Sequence, residues 1–138
     1  MSALPTVFQD WFAARGWQAH DHQLAMLAAA RAGQSALLTA PTGGGKTLAG
    51  FLPSLVELAE QPDFEGLHTI YISPLKALAT DIRRNLETPL SEMALPITAE
   101  ARTGDTPPNR RARQRENPPN ILMTTPESLA LLLSLEDS

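Results

Sequence analysis

Between residues 35 and 59 an apolar run, a glycine-rich octet and an amphipathic helix pattern follow one another without a gap. The run Ser35-Ala36-Leu37-Leu38-Thr39 has the length and apolarity of a buried parallel strand. Leu48, Phe51, Leu52, Leu55, Val56 and Ala59 recur at helical spacing on the far side. The octet between them is Ala40, Pro41, Thr42, Gly43, Gly44, Gly45, Lys46 and Thr47. Strand, tight turn and helix in that order are the sequence form of a phosphate-binding loop. Successive backbone N–H groups turn onto phosphate oxygens at a helix N-terminus, where the helix dipole also favours negative charge. Glycines let the backbone approach closely. Lys46 would reach the β/γ-phosphates, and the Thr47 hydroxyl would be a ligand to the bridging Mg²⁺. One position departs from the general pattern, since Ala40 stands where a glycine usually begins the loop.

The rest of the chain alternates strand-like and helix-like segments. Residues 5–15 read as a helix with Val7, Phe8, Trp11 and Phe12 on one face, closed by Gly16. Residues 21–32 read as an alanine-rich helix ending at Gly33. Further strands are expected at 69–73, 97–102 and 120–124, with helices over 75–89 and 126–135 and a polar, arginine-bearing connection over 107–119. Pro53 predicts a kink, not a stop, in the helix after the loop, because the apolar pattern continues past it. The expectation is an α/β fold with an open, mainly parallel sheet of at least four strands and helices on both faces. Ligands of such sheets bind at the carboxyl ends of the strands.

Composition narrows the chemistry. With 138 residues and no cysteine, the chain is about one domain long and has neither disulfides nor thiolate nucleophiles. No apolar run is long enough to cross a bilayer, and the first nine residues lack a signal-peptide pattern, so no membrane association and a cytoplasmic location are expected. His20 and His22 lie close together without a third ligand and read as a solvated turn before a helix. The net charge of −4 excludes general coating of nucleic acid. Locally, five arginines (Arg102, Arg110, Arg111, Arg113, Arg115) face a single acid, Asp105. That run is either a solvated face or a nucleic-acid patch.

Three further segments, 73–81, 103–106 and 124–128, each read alone as an ordinary turn, two of them opening helices. Thr125 would cap the last helix, Pro126 would fill its first turn, and Glu127 would favour the positive end of its dipole. Together they place turns rich in free N–H groups along one edge of the sheet, which suits a sugar-phosphate backbone. With Gly16-Trp17 and Gln23 upstream, the set resembles the first RecA-like motor lobe of DExH-type helicases of the second helicase superfamily. Tyr71-Ile72-Ser73-Pro74-Leu75-Lys76-Ala77-Leu78, Arg102-Thr103-Gly104-Asp105-Thr106 and Thr124-Thr125-Pro126-Glu127-Ser128-Leu129 are similar to the large helicase-related family, especially its DNA-ligase-associated branch.

The resemblance implies an ATP-dependent DNA helicase or translocase using ATP and Mg²⁺. It implies that Trp17 and Gln23 read or pack the adenine, that residues 40–47 are the first helicase motif with Lys46 and Thr47 catalytic, and that Pro74, Leu75, Lys76, Gly104, Asp105, Thr125, Pro126 and Glu127 line the DNA track. It implies residues 1–34 as N-terminal helices with the adenine motif and 35–138 as an incomplete motor lobe, with single-stranded or partly duplex DNA as partner and a DNA ligase or nuclease as associate. Hydrolysis further needs an apolar strand ending in Asp-Glu. Residues 131–137 imitate one, but they continue a helix and carry Glu-Asp in the reverse order. The coupling motif, second lobe and arginine finger are also missing, so the chain is expected to be the N-terminal part of a longer helicase and to be inactive alone. The alternatives are an RNA helicase of a sister group, disfavoured by the wording at 73–78, and a non-catalytic nucleotide-binding module.

Overall fold

The computed structural model describes residues 4–39 and 46–135, with the Lys46 side chain excluded, and these group into two compact units, Met1–Pro62 and Asp63–Ser138. In the first, α1 (Thr6–Ala14) starts at Pro5, whose carbonyl accepts the Phe8 and Gln9 N–H groups. It buries Phe8 and Phe12, one turn apart, while Val7 stays exposed. Gly16 ends it with a φ of 70°, a left-handed conformation that costs glycine little. Helix α2 (Asp21–Arg31) buries Gln23 and Leu27 and is followed by Gly33 at φ 71°. It packs against α3 (Lys46–Ala59), whose Ala49, Leu52, Leu55 and Val56 are almost fully buried. As expected, α3 continues through Pro53. Burial of this apolar face offsets the missing backbone hydrogen bond.

The second unit contains β1 (Thr69–Ile72), α4 (Lys76–Glu92), β2 (Ala99–Arg102), α5 (Pro108–Glu116), β3 (Ile121–Thr124) and α6 (Pro126–Leu133). Its sheet has the order β1-β3-β2, and both pairings are parallel. Central β3, Ile121-Leu122-Met123-Thr124, is wholly buried, as an apolar strand with neighbours on both sides should be. Ile72, Thr124 and Arg102 stand level at the carboxyl ends. The Thr124 hydroxyl donates to the Arg102 carbonyl at 2.7 Å and fixes that end of the register. At the opposite end Asn120 ties the strand starts: its Oδ1 accepts from the Thr98 N–H and hydroxyl, and its Nδ2 donates to the Gly66 carbonyl at 2.9 Å.

Three expectations are corrected. Residues 35–39 form no strand, and Leu37 is 91% exposed. A strand exists only through hydrogen bonds to a neighbour, and the described sheet has three strands, all from residues 69–124, none of which pairs with this run. Helix α4 does not end at Pro89 but continues to Glu92, since Pro89 and Leu90 are themselves buried. The expected polar connection over 107–119 is largely the helix α5, begun by a proline in its first turn and built from straight-chain residues that favour helix.

Candidate functional site

The level strand ends bring the three turns to one edge of the sheet. After β1, the Ser73 hydroxyl accepts from the Leu75 N–H at 3.3 Å and donates to the Leu75 carbonyl at 3.4 Å, closing a tight turn into α4. Pro74, Leu75 and Lys76 are all exposed there. The first intrahelical acceptor of α4 is the Leu75 carbonyl, taken by Ala79. Helix geometry therefore leaves the N–H groups of Lys76, Ala77 and Leu78 without an intrahelical partner.

After β2, residues 103–106 close on themselves. The Thr103 N–H donates to Thr106 Oγ1 at 3.0 Å, the Asp105 N–H to Thr103 Oγ1 at 3.2 Å, and the Thr106 N–H to the Thr103 carbonyl at 3.2 Å. Both threonines are buried, whereas Gly104 and Asp105 are exposed. Lys76 reaches across from α4: its Nζ lies 3.5 Å from Asp105 Oδ1 and 3.6 Å from the position a Cβ on Gly104 would occupy. The ion pair is solvent-facing and holds the ammonium lightly.

After β3, Thr125 caps α6 by accepting from the Ser128 N–H at 3.4 Å. The side chain of Thr125 is buried and engaged, and Pro126 has no N–H. The Glu127 N–H is therefore the group this helix start leaves without an intrahelical partner, and the exposed Glu127 carboxylate sits in the first turn, as the dipole favours.

The arginine run divides by environment. Arg113 forms a two-pronged pair with Glu100, at 2.6 and 3.2 Å, and Gln114 adds a third bond to the same carboxylate. Burial raises the Glu100 pKa, but the bonds from Arg113 and Gln114 and the charges of Arg113 and Arg110 outweigh it and hold this carboxyl below its ordinary range. Arg111 turns inward to the 103–106 turn, and Arg102 Nη1 donates to the Arg111 carbonyl at 3.4 Å. Burial, then the like charges of Arg111 and Arg115, lower the proton affinity of Arg102, which remains a cation. Beside the turn a polar basin of about 620 Å³ is lined by Thr103, Asp105, Thr106, Arg110 and Arg113.

Of the residues expected to bind nucleotide, Ala40, Pro41, Thr42, Gly43, Gly44 and Gly45 lie outside the described residues. Lys46 opens α3, and Thr47 is exposed in its first turn. Gln23 is 3% exposed, and its Oε1 accepts from the His20 N–H at 2.8 Å, fixing the start of α2. Trp17 is 51% exposed; its ring meets Trp11 edge-on and lies under the Arg15 guanidinium at 5.3 Å.

Residues 20–138 match the family model of the DEAD/DEAH box helicases. The chain is 48% identical over 114 residues to a Lhr helicase/probable uracil glycosylase of Mycolicibacterium smegmatis, covering 74% of this chain and 8% of the relative. It is 41% identical over 155 residues to the Lhr helicase/uracil glycosylase of Escherichia coli, covering 96% and 10%. The chain thus spans about a tenth of the length of these curated relatives. A solved structure of Mycobacterium smegmatis helicase Lhr bound to ssDNA and AMP-PNP superposes with a TM-score of 0.87 at 41% identity, over 97% of this chain and 18% of that one. The match runs from the turn before α2 to the last residue, so the chain belongs to the DEAD/DEAH box helicase family.

Proposed function

We propose that this chain binds ATP–Mg²⁺ at residues 40–47 and the backbone of single-stranded or partly duplex DNA along the carboxyl edge of its sheet, as part of the first motor lobe of an ATP-dependent DNA helicase or translocase. The observation that carries this is the level register of Ile72, Thr124 and Arg102, which sets the three turns side by side with Lys76, Gly104 and Glu127 exposed. The likeness to a helicase solved with ssDNA and AMP-PNP supports the same pairing of ligands.

In this reading Lys46 stabilises charge on the transferring phosphoryl group. The exposed Thr47 hydroxyl fits Mg²⁺, a hard cation that takes oxygen donors and shares them with nucleotide phosphates and water. Trp17 and Gln23 serve the adenine side. Pro74, Leu75, Lys76, Gly104, Asp105, Thr125, Pro126 and Glu127 form the DNA track, with Thr125 acting through the helix it caps. The functional division at residues 34 and 35, a cytoplasmic location and a ligase or nuclease partner belong to the same reading.

The test is the salt dependence of oligo(dT) binding, followed by fluorescence anisotropy. Each phosphate contact on a single strand adds about 0.7 to the slope of log affinity against log salt, so Lys76→Ala should lower the slope by about that amount. Nucleotide affinity without DNA should stay unchanged. An unaltered slope would remove Lys76 from the track.

A further inference from the structure

Resting on that reading of the DNA edge, we propose that Arg111 is a positioning residue: its guanidinium holds the Thr103–Gly104 carbonyls inward so that the Gly104 N–H faces the phosphate beside Lys76. Arg111 comes from α5, and its Nη2 donates to the Thr103 carbonyl at 3.2 Å and to the Gly104 carbonyl at 2.8 Å. No peptide bond of the described residues is cis. In a trans peptide the N–H points opposite to the carbonyl of the same plane. Fixing the Thr103 carbonyl toward Arg111 therefore aims the Gly104 N–H away from it. That N–H takes no acceptor among the described residues, whereas its neighbours at Thr103, Asp105 and Thr106 are all bonded within the turn. The Lys76 ammonium lies 3.6 Å from the Cβ position of Gly104. The residue with the free donor thus adjoins a cation that, among the described residues, is held only by the exposed Asp105.

The inward carbonyls matter as much as the outward donor. A carbonyl oxygen turned toward the same point would repel an anion, and a four-residue turn can present either side by rotating one peptide plane. A guanidinium is suited to prevent this, since its planar fork offers several donors in fixed geometry. Arg111 does so at a cost, because its Nε is buried without a hydrogen-bond partner. Arg102 in turn braces the Arg111 carbonyl, which links the clasp to the end of β2.

The experiment compares Arg111→Gln and Arg111→Lys with the unaltered chain, using oligo(dT) anisotropy across a salt series and the backbone amide spectrum of Gly104. Both variants should bind DNA roughly tenfold more weakly while keeping the unaltered chain's salt slope, because a positioning residue touches no phosphate. The Gly104 amide resonance should shift or broaden in both, without DNA present. A slope lowered by about 0.7 in Arg111→Gln would make Arg111 a direct phosphate contact and overturn the proposal. So would unaltered binding by Arg111→Lys, which keeps the charge but loses the fork, or an unchanged Gly104 amide. If the unaltered chain shows no salt-dependent DNA binding, the reading of the edge fails instead, while the amide spectrum still reports whether Arg111 sets the turn. Circular dichroism of each variant establishes that it is folded, and the lysine variant remains informative if the glutamine variant is not.

Discussion

Asn120→Ala removes three side-chain hydrogen bonds at the foot of the central strand: Oδ1 to the Thr98 N–H at 3.0 Å, Oδ1 to the Thr98 hydroxyl at 3.2 Å, and Nδ2 to the Gly66 carbonyl at 2.9 Å. Asn120 is 6% exposed, so the partners face a site that water enters only in part. Each neutral bond contributes about 1 kcal/mol net, and an unsatisfied buried partner costs more, which places the loss at about 2–3 kcal/mol. The bonds that the Asn120 carbonyl accepts from His68 and Thr69 use the backbone and survive the change. For a chain of this length each kcal/mol moves the unfolding midpoint by about 3–4 °C, so a fall of about 6–12 °C is expected. Thermal unfolding followed by circular dichroism measures it. Well below the midpoint, oligo(dT) affinity should stay within about twofold of the unaltered chain, a change under about 0.4 kcal/mol, because the substitution lies at the far end of the strands from the turns. A midpoint lowered by less than about 2 °C would show that these bonds do not hold the strand starts together.

Lys46→Ala should abolish nucleotide hydrolysis in the complete protein, by about 10²-fold or more, and leave the unfolding midpoint within a few degrees; normal turnover in that variant would refute the phosphate-loop assignment. Asp105→Asn should raise oligo(dT) affinity about two- to threefold, since the carboxylate 3.5 Å from Lys76 competes with phosphate for an exposed ammonium. Weaker binding by that variant would mean that Asp105 lines the track by accepting a bond from the DNA and not by competing for Lys76. For Glu100 the folded-state pKa is depressed, so its contribution to stability is present at neutral pH and is lost as pH falls below about 4.5 toward the folded value. Glu100→Gln should accordingly be less stable than the unaltered chain at pH 7, with the difference shrinking in urea titrations at lower pH.

Much of the helical and strand framework was legible because its signals are local. The apolar runs at β1 and β3, glycines after α1 and α2, and the Thr125-Pro126-Glu127 start of α6 each depend on neighbours a few residues away. Helix α5 was hidden because Pro108–Glu116 has only alanine as an apolar residue and so no periodic face to detect. The strand expected at 35–39 failed for the opposite reason: its apolar pattern is strong, but a strand depends on a distant partner that no local pattern specifies. At the candidate site, Lys76 and Gly104 could be named from motif wording, while the inward orientation of Arg111 could not. Its partners are backbone carbonyls, which have no letter in a sequence, and five arginines in one run look alike until each meets its surroundings.

The Thr124 hydroxyl on the Arg102 carbonyl, and the Asn120 ties at the other end, lock the strands against sliding in either direction. The three turns are therefore rooted in one sheet like teeth in one plate, and their spacing at its edge follows from the strand register. A surface whose spacing is set by register offers a polymer a constant pitch and supplies no stride of its own. In a motor that contains such a plate, displacement has to come from the plate moving as a whole against another body. Engineering a different stride would then mean altering the joint between bodies, and substitutions along the turns would act on the grip.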